Sequence, residues 1–433
     1  MGGRRRPGRV TSDLVFETSS AAVTVVGIGA DGWPGLTSVA REAIDAAEVI
    51  FGSARQLALL SPDVEAEQVT WPRPMVPALA GLLDAQAGRR RVVLASGDPT
   101  FNGIATTIGR LLPDLPLTIV PHTSSVSLAC ARLGWAQQDV EVVSLLSGPV
   151  ELVHPALQPG RQLLVLAASA DTPAELAALL RRRGFGLTRL TALSDLGAEH
   201  EQRVEALAAE WPAEGWPDGT RAAALTVLAV DGLPGPDADR LSRVPGLPDT
   251  AYENDGQLTK RHVRAITLAS LAPSPGELLW DVGGGAGSIG IEWMRHHPAC
   301  RAITVERDSE RSARIRRNAV ALGVPGLEVI TGSAPQALTG LPVPDAIFIG
   351  GGAGDEALIA HCWQALPPGG RMVVNVTTLE SEQIVLAARA RHGGELARIE
   401  ISRAAPIGRY TGWRPALPVT QWTATKWTAD EED

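Results

Sequence analysis

Residues 279–290 read Leu-Trp-Asp-Val-Gly-Gly-Gly-Ala-Gly-Ser-Ile-Gly, a glycine-rich turn that closes an apolar strand and opens a helix. No other feature constrains the chain as strongly. Such a turn brings backbone close to a bound cofactor, because glycine has no Cβ to hold it away. By itself the spacing Gly285-x-Gly287-x-x-Gly290 fits a dinucleotide fingerprint as well as it fits other adenosine-bearing cofactors. Asp281 before the turn, Glu306 ending the next strand and Asp345-Ala-Ile-Phe-Ile-Gly-Gly further on narrow the choice. A second, differently built turn, Val25-Val26-Gly27-Ile28-Gly29-Ala30-Asp31-Gly32, lies about 250 residues earlier. Two such turns predict two fused catalytic domains.

A chain of 433 residues is long enough for two or three domains of about 150 residues. Its hydrophobic fraction of 45% suffices for two cores. The net charge of −9 argues against sequence-independent nucleic-acid binding, which needs a basic face. Cys130, Cys300 and Cys362 are isolated and odd in number, and the eight histidines show no ligand spacing, so neither a disulfide framework nor a metal site is expected. No apolar segment follows Arg4-Arg5-Arg6, and runs such as Ala222–Val230 fall far short of the ~20 residues that span a bilayer. A cytoplasmic protein with no membrane partner is expected.

Residues 1–20 are basic, then polar, and read as a disordered tail. Strands and helices alternate from Val23. Strands are expected at 23–28, 49–51, 91–96, 117–120, 162–167, 187–194 and 223–230, with helices near 36–47, 75–83, 102–111, 124–133 and 173–182. The alternation predicts an α/β domain over 21–235, in two lobes meeting near 145–155. Residues 236–257 belong to a stretch rich in Pro, Gly and Asp with no period, the composition of a linker. A second domain over 258–433 opens with a helix at 259–271. Strands follow at 278–282, 302–305, 328–330, 346–349 and 372–376, and two more near 397–402 and 419–425 complete seven.

In an open α/β sheet, ligands sit beyond the carboxyl ends of the strands. Gly283–Gly287 ends the first strand of this domain, and Glu306 ends the second, nineteen residues after Gly287. A carboxylate there can accept both ribose hydroxyl hydrogens of an adenosine. Gly332-Ser333-Ala334 follows the third strand, where backbone and a small side chain can border an adenine. A dehydrogenase would also show a reducing His or a Tyr-Lys pair, and none is apparent. The pattern therefore fits a class I methyltransferase better.

Leu258-Thr259-Lys260-Arg261-His262-Val263-Arg264-Ala265, Trp280 to Ser288, Glu306-Arg307-Asp308 with Asn318-Ala319, Gly332 to Pro335 and Pro344 to Gly351 follow one another in order. Together they resemble the precorrin-6B C15-methyltransferase (decarboxylating) family over about residues 255–400. Gly284 and Ala286 are mild departures from that family's turn. The resemblance implies a Rossmann-like seven-stranded domain that binds S-adenosylmethionine. It places Thr259, Asp281, Gly283, Gly284, Gly285, Ala286, Gly287, Glu306, Ser333 and Ala334 at the cofactor.

Val26 to Gly32, Leu36-Thr37, Phe51-Gly52-Ser53-Ala54-Arg55, Ala95-Ser96-Gly97-Asp98-Pro99-Thr100-Phe101 and His122-Thr123-Ser124-Ser125-Val126 resemble the tetrapyrrole methylases, and among them the precorrin-6Y C5-methyltransferases. Alone, Gly97-Asp98-Pro99 reads as an ordinary β-turn; the ordered set changes that reading. The likeness covers about residues 22–230. It implies a two-lobed fold whose cleft holds a second S-adenosylmethionine, with Gly27, Gly29, Gly97, Asp98, Ser124 and Ser125 at the cofactor. Taken together the halves resemble a fused family that methylates a precorrin at carbons 5 and 15 and removes the ring-C acetate carboxyl. An alternative keeps only the second half catalytic and makes the first a tetrapyrrole-binding or assembly module.

Methyl transfer to an electron-rich carbon is an in-line displacement, so alignment is the protein's main task and no metal is required. A tetrapyrrole carries many carboxylates, which call for basic clamps. Lys260 and Arg264, in the first turns of a helix whose dipole opposes cations, are the candidates. His262 is the candidate acid for protonation after decarboxylation. A homo-oligomer is expected from relatives of the second domain.

Overall fold

A computed structural model describes residues 22–219 and 225–427. The tail expected over 1–20 and the start of the strand expected at 223–230 lie outside these residues. Contacts divide the chain into two units. The first is Met1–Leu146, Gln162–Ala177 and Arg189–Asp231; the second is Ser147–Arg161, Ala178–Thr188 and Gly232–Asp433.

The first unit contains two sheets. One is parallel and built from β1 (Val23–Ile28), β2 (Val49–Gly52), β3 (Glu67–Thr70), β4 (Arg91–Ser96) and β5 (Leu117–Val120), in the order β3-β2-β4-β1-β5. Strand β1 is buried along its whole length because both faces are covered. Val23 and Val25 pack with Trp71, Leu79 and Leu83, while Val26 and Ile28 pack with Leu36 and Ile44. That double burial is why it reads as a near-continuous apolar run, broken only by the buried Thr24 and by Gly27. The other sheet is mixed: β6 (Val140–Ser144), β7 (Gln162–Leu166), β8 (Arg189–Ser194), β9 (Gln202–Leu207) and β10 (Thr226–Asp231), in the order β6-β7-β10-β8-β9. Sequence patterning missed β3, β6 and β9. All three are edge strands with no fully buried residue, so they lack an apolar run.

The second unit holds a seven-stranded sheet of order β13-β12-β11-β14-β15-β19-β16. Here β11 is Leu278–Val282, β12 Arg301–Glu306, β13 Glu328–Thr331, β14 Ala346–Ile349, β15 Arg371–Val376, β16 Glu395–Ile399 and β19 Val419–Thr425. Strands β11 to β15 pair in parallel, and β19 runs antiparallel to both β15 and β16. A separate hairpin, β17 (Ser402–Ile407) with β18 (Tyr410–Pro415), was not anticipated, since its residues are mostly exposed and carry no apolar alternation.

The linker reading of 236–257 needs correction. Leu241, Leu247 and Tyr252 are 7%, 2% and 4% exposed and belong to the same core cluster as Leu268, Ile291 and Trp293. Glu292 accepts backbone N–H bonds from Gly246 at 2.6 Å and Leu247 at 3.0 Å. This stretch is an extended strap. Its apolar residues are too widely spaced to carry a helix or strand period, so composition alone could not reveal them.

Candidate active sites

In the second unit, Gly283–Gly287 connects β11 to the helix Ser288–His296. At Gly285 the backbone has φ +59°, and a Cβ there would stand 2.8 Å from the carbonyl oxygen of Gln257. The protein itself therefore demands glycine at the centre of the turn. The Glu306 carboxylate, at the end of β12, accepts from Gly285 N–H at 2.9 Å with Oε2 and from Asp308 N–H at 3.0 Å with Oε1. Each oxygen keeps a second acceptor position. Glu306 pairs in register with Thr331 of β13, and Gly332 N–H donates to the Glu306 carbonyl at 3.0 Å. The sheet thus brings Gly283–Gly287, Glu306 and Ser333–Ala334 together at the carboxyl ends of three adjacent strands. Thr259 is half-buried, and its carbonyl accepts from Arg264 Nη1.

Two residues of this set work beneath the site and not in it. Asp281 is 1% exposed, and its Oδ2 accepts from Gly290 N–H at 3.1 Å and Thr304 Oγ1 at 3.2 Å. Burial pushes its carboxyl up to about 7, with the Glu306 charge adding to the rise against the two hydrogen bonds. Asp281 ties the helix start to β12, and its reading as a direct cofactor ligand is corrected. Ala286 is 1% exposed with its side chain in the core, so only its backbone borders the turn.

Arg264 is also corrected. Its side chain is wholly buried, donating to Glu292 Oε1 at 2.6 Å, to Asp249 Oδ1 at 3.2 Å, and to the carbonyls of Leu247 and Thr259. Fully withdrawn from solvent, with four of its five N–H donors on internal acceptors, it is a core strut that a substrate carboxylate cannot reach. Lys260 and His262 are exposed at the start of the helix Arg261–Leu271.

In the first unit, β1 and β4 lie side by side and their ends frame a cleft of about 440 Å³. Gly29, Gly97, Asp98, Ser124 and Ser125 line it, facing Leu166 and Thr226 of the second sheet. Gly27 does not line it but makes it possible: a Cβ there would lie 2.3 Å from the Gly97 carbonyl oxygen. The Asp98 side chain accepts from Thr100 N–H at 2.8 Å and Thr100 Oγ1 at 2.7 Å, which fixes the turn. Ser124 caps the helix Ser125–Leu133, accepting from Ser127 N–H at 3.0 Å. His122 Nε2 lies 3.2 Å from Asp31 Oδ1 beside Gly29. Sequence reasoning gave no role to Arg55, Ser96 or Thr226, which also line the cleft. Arg55 and Ser96 lay within motifs already noted, and only their spatial convergence marks them.

Comparison with known proteins finds two families along the chain. Residues 22–212 match the family described as Tetrapyrrole (Corrin/Porphyrin) Methylases, and residues 250–426 match the Precorrin methyltransferase domain. A relative from Sinorhizobium sp, named precorrin-6Y C(5,15)-methyltransferase [decarboxylating], is 46% identical over 404 residues, spanning 93% of this chain and 96% of its own. The chain belongs to the precorrin-6Y C5,15-methyltransferase (decarboxylating) family. A Mycobacterium tuberculosis member of that family is 43% identical over 93% of this chain and 100% of its own. The second half by itself is similar to the cobalt-precorrin-6B C(15)-methyltransferase (decarboxylating) of Salmonella typhimurium, 31% identical over 37% of this chain and 85% of that protein. Members of the precorrin-6Y family are enzymes of cobalamin biosynthesis, and membership implies use of S-adenosylmethionine. Among the described residues no helix is long and apolar enough to cross a membrane, and no cluster of His, Cys, Asp or Glu forms a metal site.

Proposed function

We propose that this chain methylates precorrin-6Y at carbons 5 and 15 and releases the ring-C acetate carboxyl as carbon dioxide, with one S-adenosylmethionine site in each unit. The observation that carries this reading is the pair of glycine-framed sites, each beyond the carboxyl ends of parallel strands in its own sheet. The second unit takes carbon 15 and the decarboxylation; the first takes carbon 5.

The residues present fit an adenosine-bearing donor. Glu306 is held beside the turn with acceptor positions spare, Gly283–Gly287 admits close backbone approach, and Ser333 and Ala334 border the same strand ends. When bound, S-adenosylmethionine supplies an electrophilic methyl group. What the chain contributes is alignment of that group with a ring carbon that is itself the nucleophile. In the first unit Gly29, Gly97, Asp98, Ser124 and Ser125 shape the corresponding cleft. Lys260, exposed at the start of the helix Arg261–Leu271, is assigned to a substrate carboxylate, and His262 to proton delivery after decarboxylation. A homo-oligomer in the cytoplasm completes the proposal; light scattering of the purified chain tests the assembly.

Incubation with precorrin-6Y and carbon-13-methyl donor should yield a product with two labelled methyl groups and one equivalent of carbon dioxide. A product with one labelled methyl, at carbon 15 only, would make the first unit a binding module.

A further inference from the structure

The first unit's cleft is lined mainly by apolar side chains, among them Ile28, Leu94, Leu128 and Val227, and by small polar groups. Among the described residues one cationic side chain lines it, Arg55. Arg55 follows β2 in a short helical turn, Ala54–Leu57, whose start is locked by a reciprocal pair of bonds between Ser53 and Gln56. The fixed turn aims the arginine across to β4. There Arg55 Nη2 donates to Ser96 Oγ at 2.8 Å, and the buried Gln56 donates to the same oxygen at 3.1 Å. Ser96 is thereby held as an acceptor and steers the guanidinium along the cleft wall.

Four arginines of the same unit sit in ion pairs of a kind that Arg55 lacks. Arg89 pairs with Glu67, Arg90 with Glu48, Arg132 with Glu201 and Arg189 with Glu205. Arg55 is partly withdrawn from water, yet no carboxylate lies within ion-pair distance of it among the described residues; Asp195 acts on it only through space. Asp98, the one carboxylate lining the cleft among the described residues, has its Oδ1 taken by Thr100 N–H and Oγ1. A guanidinium offers five N–H donors in a planar fork that matches a carboxylate. One is used on Ser96, and a partly desolvated cation without a counter-charge is costly unless something else supplies one.

We propose that Arg55 anchors a side-chain carboxylate of the precorrin in the first unit's cleft and so orients the ring for methylation at carbon 5. This rests on the two-site reading above. The methionine carboxylate of the donor has the same chemistry, so the test must separate the two sources.

The test is Arg55→Gln in the full chain, with Arg55→Lys and Ser96→Ala beside it. KM for precorrin-6Y, read from carbon-13 label at carbon 5, should rise about 10- to 100-fold in Arg55→Gln. It should rise less in Arg55→Lys, which keeps the charge but loses the fork, and in Ser96→Ala. Donor affinity by calorimetry and label at carbon 15 should match the unsubstituted chain, as should the thermal midpoint. A precorrin with its carboxylates esterified should erase the difference between Arg55 and Gln. Unchanged KM in Arg55→Gln overturns the proposal, as does weakened donor binding with precorrin binding intact. Failure of the two-site reading looks different, since the unsubstituted chain would then place no label at carbon 5. In that event, direct titration with precorrin still decides Arg55: weaker binding in Arg55→Gln supports the anchor, and equal binding overturns it.

Discussion

Arg264 donates from Nε to Glu292 Oε1 at 2.6 Å, and neither side chain reaches solvent. Glu292 also accepts from Tyr252 Oη at 2.8 Å and from the N–H groups of Gly246 and Leu247, so one buried pair fastens the strap to the helix Ser288–His296. Removing one partner leaves an uncompensated buried charge, which typically costs about 3–5 kcal/mol. Arg264→Ala should lower the unfolding free energy of the second unit by that order in urea titration. A loss below about 1 kcal/mol would show that the pair does not hold the strap.

Asp281 makes stability depend on pH in a defined direction. Its folded pKa of about 7 stands above the ordinary 3.8, so the folded chain keeps a proton that the unfolded chain releases. The contribution is full below pH 3.8 and is lost as pH rises through about 7. Asp281→Asn, neutral throughout, should therefore gain stability relative to the unsubstituted chain between pH 4.5 and pH 7.5. The unfolding free-energy difference between the two proteins, measured at several pH values, should slope upward and flatten above about 7. A flat difference would mean that Asp281 is ionised across the whole range.

Gly285→Val forces a branched side chain into a left-handed backbone position and against the Gln257 carbonyl. Calorimetric titration of the full chain with S-adenosylmethionine should then show one binding event in place of two. The full chain is needed because the strap, from Leu241 onward, is part of the second unit's core. Two undiminished events would remove the turn from cofactor binding.

The two methylations should separate by substitution. Gly285→Val with Glu306→Ala should abolish carbon dioxide release and label at carbon 15. Gly29→Val with Gly97→Val should leave a decarboxylated product without the methyl at carbon 5, because a Cβ at Gly29 would sit 2.4 Å from Asp31 Oδ1 and Gly97 has φ +62°. Mass and carbon-13 spectra distinguish the outcomes. Both methyl groups persisting in the second variant would end the two-site reading.

Much of this protein was legible in the sequence because the relevant signals are local. Strands such as Val23–Ile28, Leu278–Val282 and Ala346–Ile349 are buried on both faces and read as apolar runs, and their element bounds coincide with those runs. The glycine turn and Glu306 were legible for the same reason, since a strand end followed by glycines is a short-range pattern. The fate of ionisable side chains was not. Arg264 looks like a free cation on a helix until packing sets it against Glu292, 28 residues away, and Asp281 looks like a ligand until burial places it under the turn. Arg55 becomes conspicuous only when folding brings it to Ser96, 41 residues on, with no carboxylate in ion-pair reach among the described residues. Backbone conformation is set largely by neighbours along the chain. Whether a charge meets water, a counter-charge or an open cleft is set by residues far from it in sequence, and that only the tertiary structure decided.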